Sequence, residues 1–148
     1  MNKRDKLLIR ELERNAKLSS RRLAMRVGLP ISTTHRRVKN LEKQGIIKGY
    51  RAIIDYEKTD RPIPMLAFIN VAETTRKEKH VPISLIKHQL TKLPECYELL
   101  DVKGGNWDLI VKARLSSLKE TTSFLEKLRK IKGIEEVSST IITEEIIV

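Results

Sequence analysis

The chain has 148 residues, of which 40% are hydrophobic and 33% charged, and a formal net charge of +11. This composition excludes a disordered chain, and no stretch approaches the ~20 apolar residues of a membrane span. Residues 1 to 50 hold 14 Lys+Arg against 4 Asp+Glu, whereas residues 51 to 148 hold 16 against 15, so the self-repulsion is confined to the first third and points to a polyanionic partner.

The asymmetry predicts two domains, each long enough for a small core. The opening MNKRDKLLIRELERN is too charged for a signal peptide, and no membrane partner is expected. The single cysteine, Cys96, forms no intramolecular disulfide and is expected to be a buried, inert thiol in a reducing compartment. The expected location is cytoplasmic.

In chain order, Leu8, Ile9 and Leu12 recur at helical spacing from Asp5 and predict a first helix that fades at Asn15. A second starts at Ser19 or Ser20, either of which can cap it, and turns Leu23, Ala24 and Val27 inward before Gly28 closes it. After Gly28-Leu29-Pro30 a third helix runs from about Ile31 to Gln44, with Thr34, Val38 and Leu41 inward. Its outward face is Ser32, Thr33, His35, Arg36, Lys39, Asn40 and Lys43, with Arg37 beside it. Two helices joined by a tight turn, the second bearing this cationic and hydrogen-bonding face, predict a helix-turn-helix whose third helix reads double-stranded DNA. Ile46-Ile47 and Ala52-Ile53-Ile54 flank Lys48-Gly49-Tyr50-Arg51 and predict a hairpin wing. The expected DNA-contacting residues are Arg21, Arg22, Ser32, Thr33, His35, Arg36, Arg37, Lys39, Asn40 and Lys48.

Residues 55–63 lack periodicity, contain Pro62, and read as a linker between domains at 1–54 and 64–148. The second domain opens with a strand, Met65 to Val71. A helix follows with Pro82 near its start and Ile83, Ile86, Leu90 and Leu93 inward, then a strand from about Cys96 to Val102. Lys103-Gly104-Gly105-Asn106 turns into a strand from Trp107 to Arg114. Ser117 and Glu120 have capping-box spacing at the start of a helix through Leu118, Leu125, Leu128 and Ile131 to Gly133, and a last strand runs from Val137 to Ile142. The order is β-α-β-β-α-β, so the fold class is α+β: an N-terminal winged helix-turn-helix followed by a ferredoxin-like βαββαβ domain. Both helices cover one sheet face. The other face is left bare, which predicts a dimer formed by packed sheets.

Asp5, Leu8, Leu12, Asn15-Ala16, Leu23-Ala24, Val27-Gly28-Leu29, Arg36-Arg37-Val38, Leu41-Glu42 and above all LEKQGIIKGY resemble the Lrp/AsnC family, the feast/famine transcription regulators of bacteria and archaea. The resemblance covers most of the chain. It departs at Pro30, where the family usually has a capping serine. It implies a dimer, often a tetramer of dimers, that senses amino acids where dimers meet. The family's Gly-x-x-Asp loop matches Gly105-Asn106-Trp107-Asp108, with Gly104 as an additional residue, and its late Thr-x-Thr pair falls on Val137 and Ser139. The resemblance thus implies an effector site of Gly104, Gly105, Asn106, Asp108 and Ser139, where Asp108 would meet an ammonium group and the turn amides a carboxylate.

His35, His80 and His88 are scattered without neighbouring ligands, and no phosphate-binding loop or nucleophile motif occurs, so no metal, no cofactor and no enzyme activity are expected. Aromatic residues make up 4% of the chain and do not alternate with the basic ones, unlike the stacking platform of an RNA binder. The expected function is sequence-specific transcriptional regulation, with an amino acid or related metabolite as effector. The rivals are an architectural DNA-binding protein without sequence preference, and an enzyme with a ferredoxin-like regulatory domain, whose catalytic part would have to fit within the first 60 residues.

Overall fold

The two blocks of sequence form two units, Met1–Ile54 and Asp55–Val148, in a computed structural model that describes residues 1–72 and 81–146. His80 lies outside the described residues. Among these residues no helix is long and apolar enough to cross a membrane.

In the first unit, helix α1 spans Lys3–Arg14 and is capped by Asn2, whose Oδ1 accepts the amides of Arg4 at 2.7 Å and Asp5 at 3.3 Å. Such a cap satisfies first-turn donors that water would otherwise have to reach. Helix α2, Ser20–Val27, starts on Ser19, whose Oγ accepts the Arg22 amide, and ends at Gly28 with φ +63°. Helix α3, Ile31–Lys43, follows Pro30, which offers no side-chain cap. Leu8, Leu23, Val27 and Leu41 form the core, and Leu12, Leu18, Leu29 and Val38 pack against it. The anticipated wing is not formed: residues 46–54 make no strand, and Ile53 is 70% exposed. The segment lacks an Asn-Gly type of turn, and a two-stranded ribbon without an apolar surface beneath it is marginal in water.

The second unit begins with a short 3-10 turn at Tyr56–Lys58. Strand β1, Ile63–Val71, then helix α4, Ile83–Thr91, and strands β2, Cys96–Asp101, and β3, Leu109–Leu115, lead to helix α5, Leu118–Arg129, and strand β4, Ile134–Ile141. The sheet is antiparallel in the order β2-β3-β1-β4. Period-2 alternation sends Met65, Ala67, Ile69, Leu109, Val111, Ala113 and Leu115 to one face, where they bury Ile86, Leu90, Phe124 and Leu128 of the two helices. Phe124 is fully buried, whereas Leu118, in the first turn of α5, is 65% exposed. Ile83 also faces solvent, because α4 starts there and only Ile86 and Leu90 lie over the sheet. Burial holds the thiol of half-buried Cys96 above its ordinary pKa.

The capping box at α5 is shifted by one residue. Ser117 Oγ accepts the Glu120 amide, but Glu120 Oε2 accepts the amide and hydroxyl of Ser116, at 2.6 and 2.7 Å, and these two donors hold its carboxyl below the ordinary value. The sheet face without helices carries half-buried Leu66, Phe68 and Ile110. Trp107 tilts over Phe68 at 5.8 Å between ring centroids. At the far corner the guanidinium of Arg114 lies 4.2 Å from the ring centre of Tyr56 and 5.2 Å from that of Tyr97, and it is ion-paired with Glu145. A cation on two rings is favoured by their quadrupoles, and it fixes the segment before β1 to the sheet.

Candidate DNA interface and effector cleft

Helices α2 and α3 sort the basic residues into two groups. The first is tied into the fold. Arg4 Nη1 donates to the Val27 carbonyl at 2.7 Å, at the negative end of the α2 dipole, and Arg26 pairs with Glu11 at 2.9 Å. Arg37, anticipated as a DNA contact, pairs with Asp5 at 2.9 Å, with the two side chains 30% and 21% exposed. It lies on the flank of α3 that faces α1. Lys39 pairs with Glu42 at 3.1 Å, although it remains largely exposed. Glu42 also accepts the Tyr50 hydroxyl at 2.8 Å; this bond, then Lys39, lowers the Glu42 pKa. Burial, then Glu42, raises that of Tyr50.

The second group faces solvent. Arg21, Arg22, Ser32, His35, Arg36, Asn40 and Lys48 are exposed, and Thr33 is partly so. Arg21, Arg22 and Arg36 make no ion pair among the described residues. Ser32, Arg36, Lys39, Asn40 and Lys43 share one face of α3, as helical spacing requires. An exposed cationic helix with hydroxyl, amide and imidazole groups between its charges can meet both phosphates and base edges.

The second site lies at the end of the sheet where β2 turns into β3. An open cleft of about 870 Å³ is lined by Asn70, Val71, Ala72, Val102, Lys103, Gly104, Gly105, Asn106, Trp107, Asp108 and Glu135. Gly104 and Gly105 have φ of +86° and +90°, with open space where a Cβ would stand. Two consecutive residues in that region require glycine, and the turn leaves its backbone accessible. Asp108 knits the cleft floor: Oδ2 accepts the Val71 amide at 2.9 Å, its own amide donates to Ile69, and its carbonyl accepts from Val102.

Four of the five residues anticipated for an effector thus meet in one cleft. Ser139 does not join them, because it pairs with Ala67 farther along β4. Val137, its companion in the anticipated pair, packs against the core. Lys103 and Glu135 line the cleft unannounced. Lys103 adjoins the glycines and could have been found from the turn, whereas Glu135 enters through the β1–β4 register, which no local pattern encodes. Among the described residues no group of three or more His, Cys, Asp or Glu could hold a metal ion.

Comparison with known proteins places these two surfaces in a family. A model of winged helix-turn-helix DNA-binding domains matches residues 1–48, and one of the Lrp/AsnC ligand binding domain matches residues 66–148. The HTH-type transcriptional regulator FL11 of Pyrococcus horikoshii is 34% identical over 93% of this chain and 86% of its own length. The leucine-responsive regulatory protein of Haemophilus influenzae is 29% identical over 94% of this chain and 81% of its own. A transcriptional regulator of Neisseria meningitidis, solved in complex with L-Met, superposes with a TM-score of 0.84 at 22% identity, covering 99% of this chain and 92% of that one. With a DNA-binding match on the first unit and a ligand-domain match over most of the second, the chain belongs to the Lrp/AsnC family of DNA-binding transcriptional regulators.

Proposed function

We propose that this chain recognises a roughly palindromic duplex site as a homodimer, or as an assembly of such dimers, and that an amino acid or related metabolite in the cleft at Gly104–Asp108 adjusts its assembly or its DNA affinity. The observation that carries the reading is the division of the basic residues: Arg21, Arg22 and Arg36 stand exposed and unpaired among the described residues, while Arg4, Arg26 and Arg37 serve the fold. Exposed like charges without acidic neighbours are unfavourable until a polyanion arrives. In this reading α3 enters the major groove, and two copies of it meet successive grooves about one helical turn apart. Arg36 reaches into the groove with Ser32, Thr33, His35 and Asn40, while Arg21, Arg22, Lys39 and Lys48 meet phosphates. Arg37 acts by positioning α3 through Asp5. The chain regulates rather than catalyses, in keeping with the names of its relatives.

Support for the effector comes from the cleft and from two relatives, one named for leucine and one solved with L-Met. Glu135 and the Asp108 oxygen not engaged by Val71 would share the ammonium, and the open turn amides would take the carboxylate. The helix-free sheet face, with Leu66, Phe68, Ile110 and Trp107, would join the protomers.

Selection of duplexes from a random pool tests the DNA reading. An enriched pseudo-palindrome bound ~10³ to 10⁵ times more weakly at 200 than at 50 mM salt is expected if a dimer meets about 6 to 10 phosphates. Equal affinity for unrelated DNA would make the chain an architectural protein. Calorimetric titration with each amino acid tests the cleft. Binding should be lost in Glu135→Gln and Asp108→Asn, the latter keeping an acceptor for Val71; heat from no amino acid would leave the second unit as a self-association platform alone.

A further inference from the structure

We propose that Ile31 is a base-reading residue, whose side chain packs on the C5-methyl group of a thymine in each half-site. The inference rests on the reading of α3 as the helix that enters the major groove, and it names a residue that reading does not use.

Ile31 is the first residue of α3 and is 50% exposed. The core of its unit gathers Leu8, Leu23, Val27 and Leu41 with a shell of partly buried leucines, isoleucines and a valine, and Ile31 is not among them. A β-branched apolar residue half exposed at a helix start gains little from helix propensity and only part of what full burial would give. Its neighbours make the position unusual. The first turn, Ile31-Ser32-Thr33, is uncharged, and the outward cations begin only with Arg36 one turn later. The residue before it is Pro30, at φ −58° and ψ 147°, whose carbonyl accepts the Thr34 amide at 2.9 Å. Ile31 is therefore held between a rigid ring and a hydrogen-bonded turn.

In a helix-turn-helix the N-terminal residues of the reading helix are the ones that meet base edges. The major-groove edge of a base pair presents donors, acceptors and a single kind of apolar group, the thymine methyl. An isoleucine placed there is matched only by that methyl. Against guanine or cytosine it would cover polar edges without replacing their hydrogen bonds, so the same side chain selects for thymine and against a G·C pair.

The test uses the full chain and a duplex it has selected from a random pool, with each thymine replaced in turn by deoxyuridine, which removes only the methyl. At one thymine per half-site the wild type should lose about fourfold in affinity, and roughly 15-fold when both half-sites are changed, the effect of one buried methyl at each. For Ile31→Ala the same replacements should change affinity by less than twofold. If no deoxyuridine replacement weakens the wild type, or if Ile31→Ala responds as strongly, Ile31 does not read thymine. The first comparison needs no variant, so a fold defect in Ile31→Ala cannot obscure it. Failure at this step, with pool enrichment intact and Arg36→Ala weakened, leaves α3 as the reading helix. A pool that enriches nothing overturns both.

Discussion

Arg36 and Arg37 are adjacent and equally charged, and they should behave as opposites when removed. One is exposed on the outer face of α3, while the other is fixed to Asp5 at 2.9 Å. A guanidinium that seats against DNA releases condensed counterions, and each phosphate neutralised adds ~0.9 to the slope of log affinity against log salt. A dimer carries two copies, so Arg36→Ala should flatten the slope by ~1.8. Between 50 and 200 mM, the wild type then loses about 12-fold more affinity than the variant does. Arg37→Ala removes the same formal charge but should leave the slope within ~0.3 of wild type. Its effect falls on stability: a partly exposed ion pair contributes up to ~1 kcal/mol after solvent screening, and a unit this small shifts by about 4 to 8 °C in Tm per kcal/mol. Fluorescence anisotropy of a labelled duplex at four salt concentrations, with a thermal melt of each variant, reads both effects. Equal flattening in the two variants would refute the division of the basic residues into fold-serving and DNA-facing groups.

Gly133 has φ +96°, and a Cβ there would stand 2.8 Å from Ile86 Cδ1 and 2.9 Å from Val81 Cβ, so Gly133→Ala should destabilise by about 1 to 3 kcal/mol, read as a lower denaturant midpoint at unchanged slope. A wild-type midpoint would mean that Ile86 and Val81 yield freely. Glu42 has a folded pKa below 4.5, so its contribution is present above 4.5 and is lost as pH falls through the folded value. Tyr50→Phe removes the largest cause and should raise the Glu42 titration midpoint, followed by carbon-13 NMR; an unmoved midpoint would show that the hydroxyl does not bond to the carboxylate in solution. A fragment of residues 62 to 148 should stay folded and sediment as a dimer or larger species at micromolar concentration, because the apolar groups on its helix-free face would be paired; a monomer would disprove that face as the joint.

The helices of the first unit are legible because Leu8 and Leu12, Leu23 and Val27, and Val38 and Leu41 fall at helical spacing within each, and because Ser19 and Gly28 mark the ends of α2. The βαββαβ order was legible for a similar reason, with apolar alternation in β1 and β3 and a cap at Ser117. What the sequence does not reveal depends on partners distant in sequence. Arg36 and Arg37 look alike in one dimension, since nothing local shows that Asp5, 32 positions away, holds the second. The wing was read from two apolar runs, yet strand formation needs a surface under the ribbon, which the run itself does not reveal. Phe124, fully buried, is absent from the apolar positions that trace α5 in the sequence, because a helical period leaves its phase at the first turn undetermined. The place of Ser139, which the family resemblance alone implies for the effector site, is set by the pairing of β4 with β1, which puts it opposite Ala67.

If the cleft takes an amino acid as proposed, the bond between Asp108 and Val71 sets the concentrations to which it would respond. Half of the carboxylate is already committed to the backbone at the end of β1. A ligand that drew Asp108 fully to itself would strand a part-buried amide, at a cost of about 1 to 3 kcal/mol, or roughly 5- to 150-fold in affinity. One that shares the carboxylate keeps the amide bonded but receives a weaker partner. Either way the chain's own backbone competes for the anchor. An effector held under such competition would occupy the cleft only when plentiful, whereas a tighter grip would saturate it at scarcity.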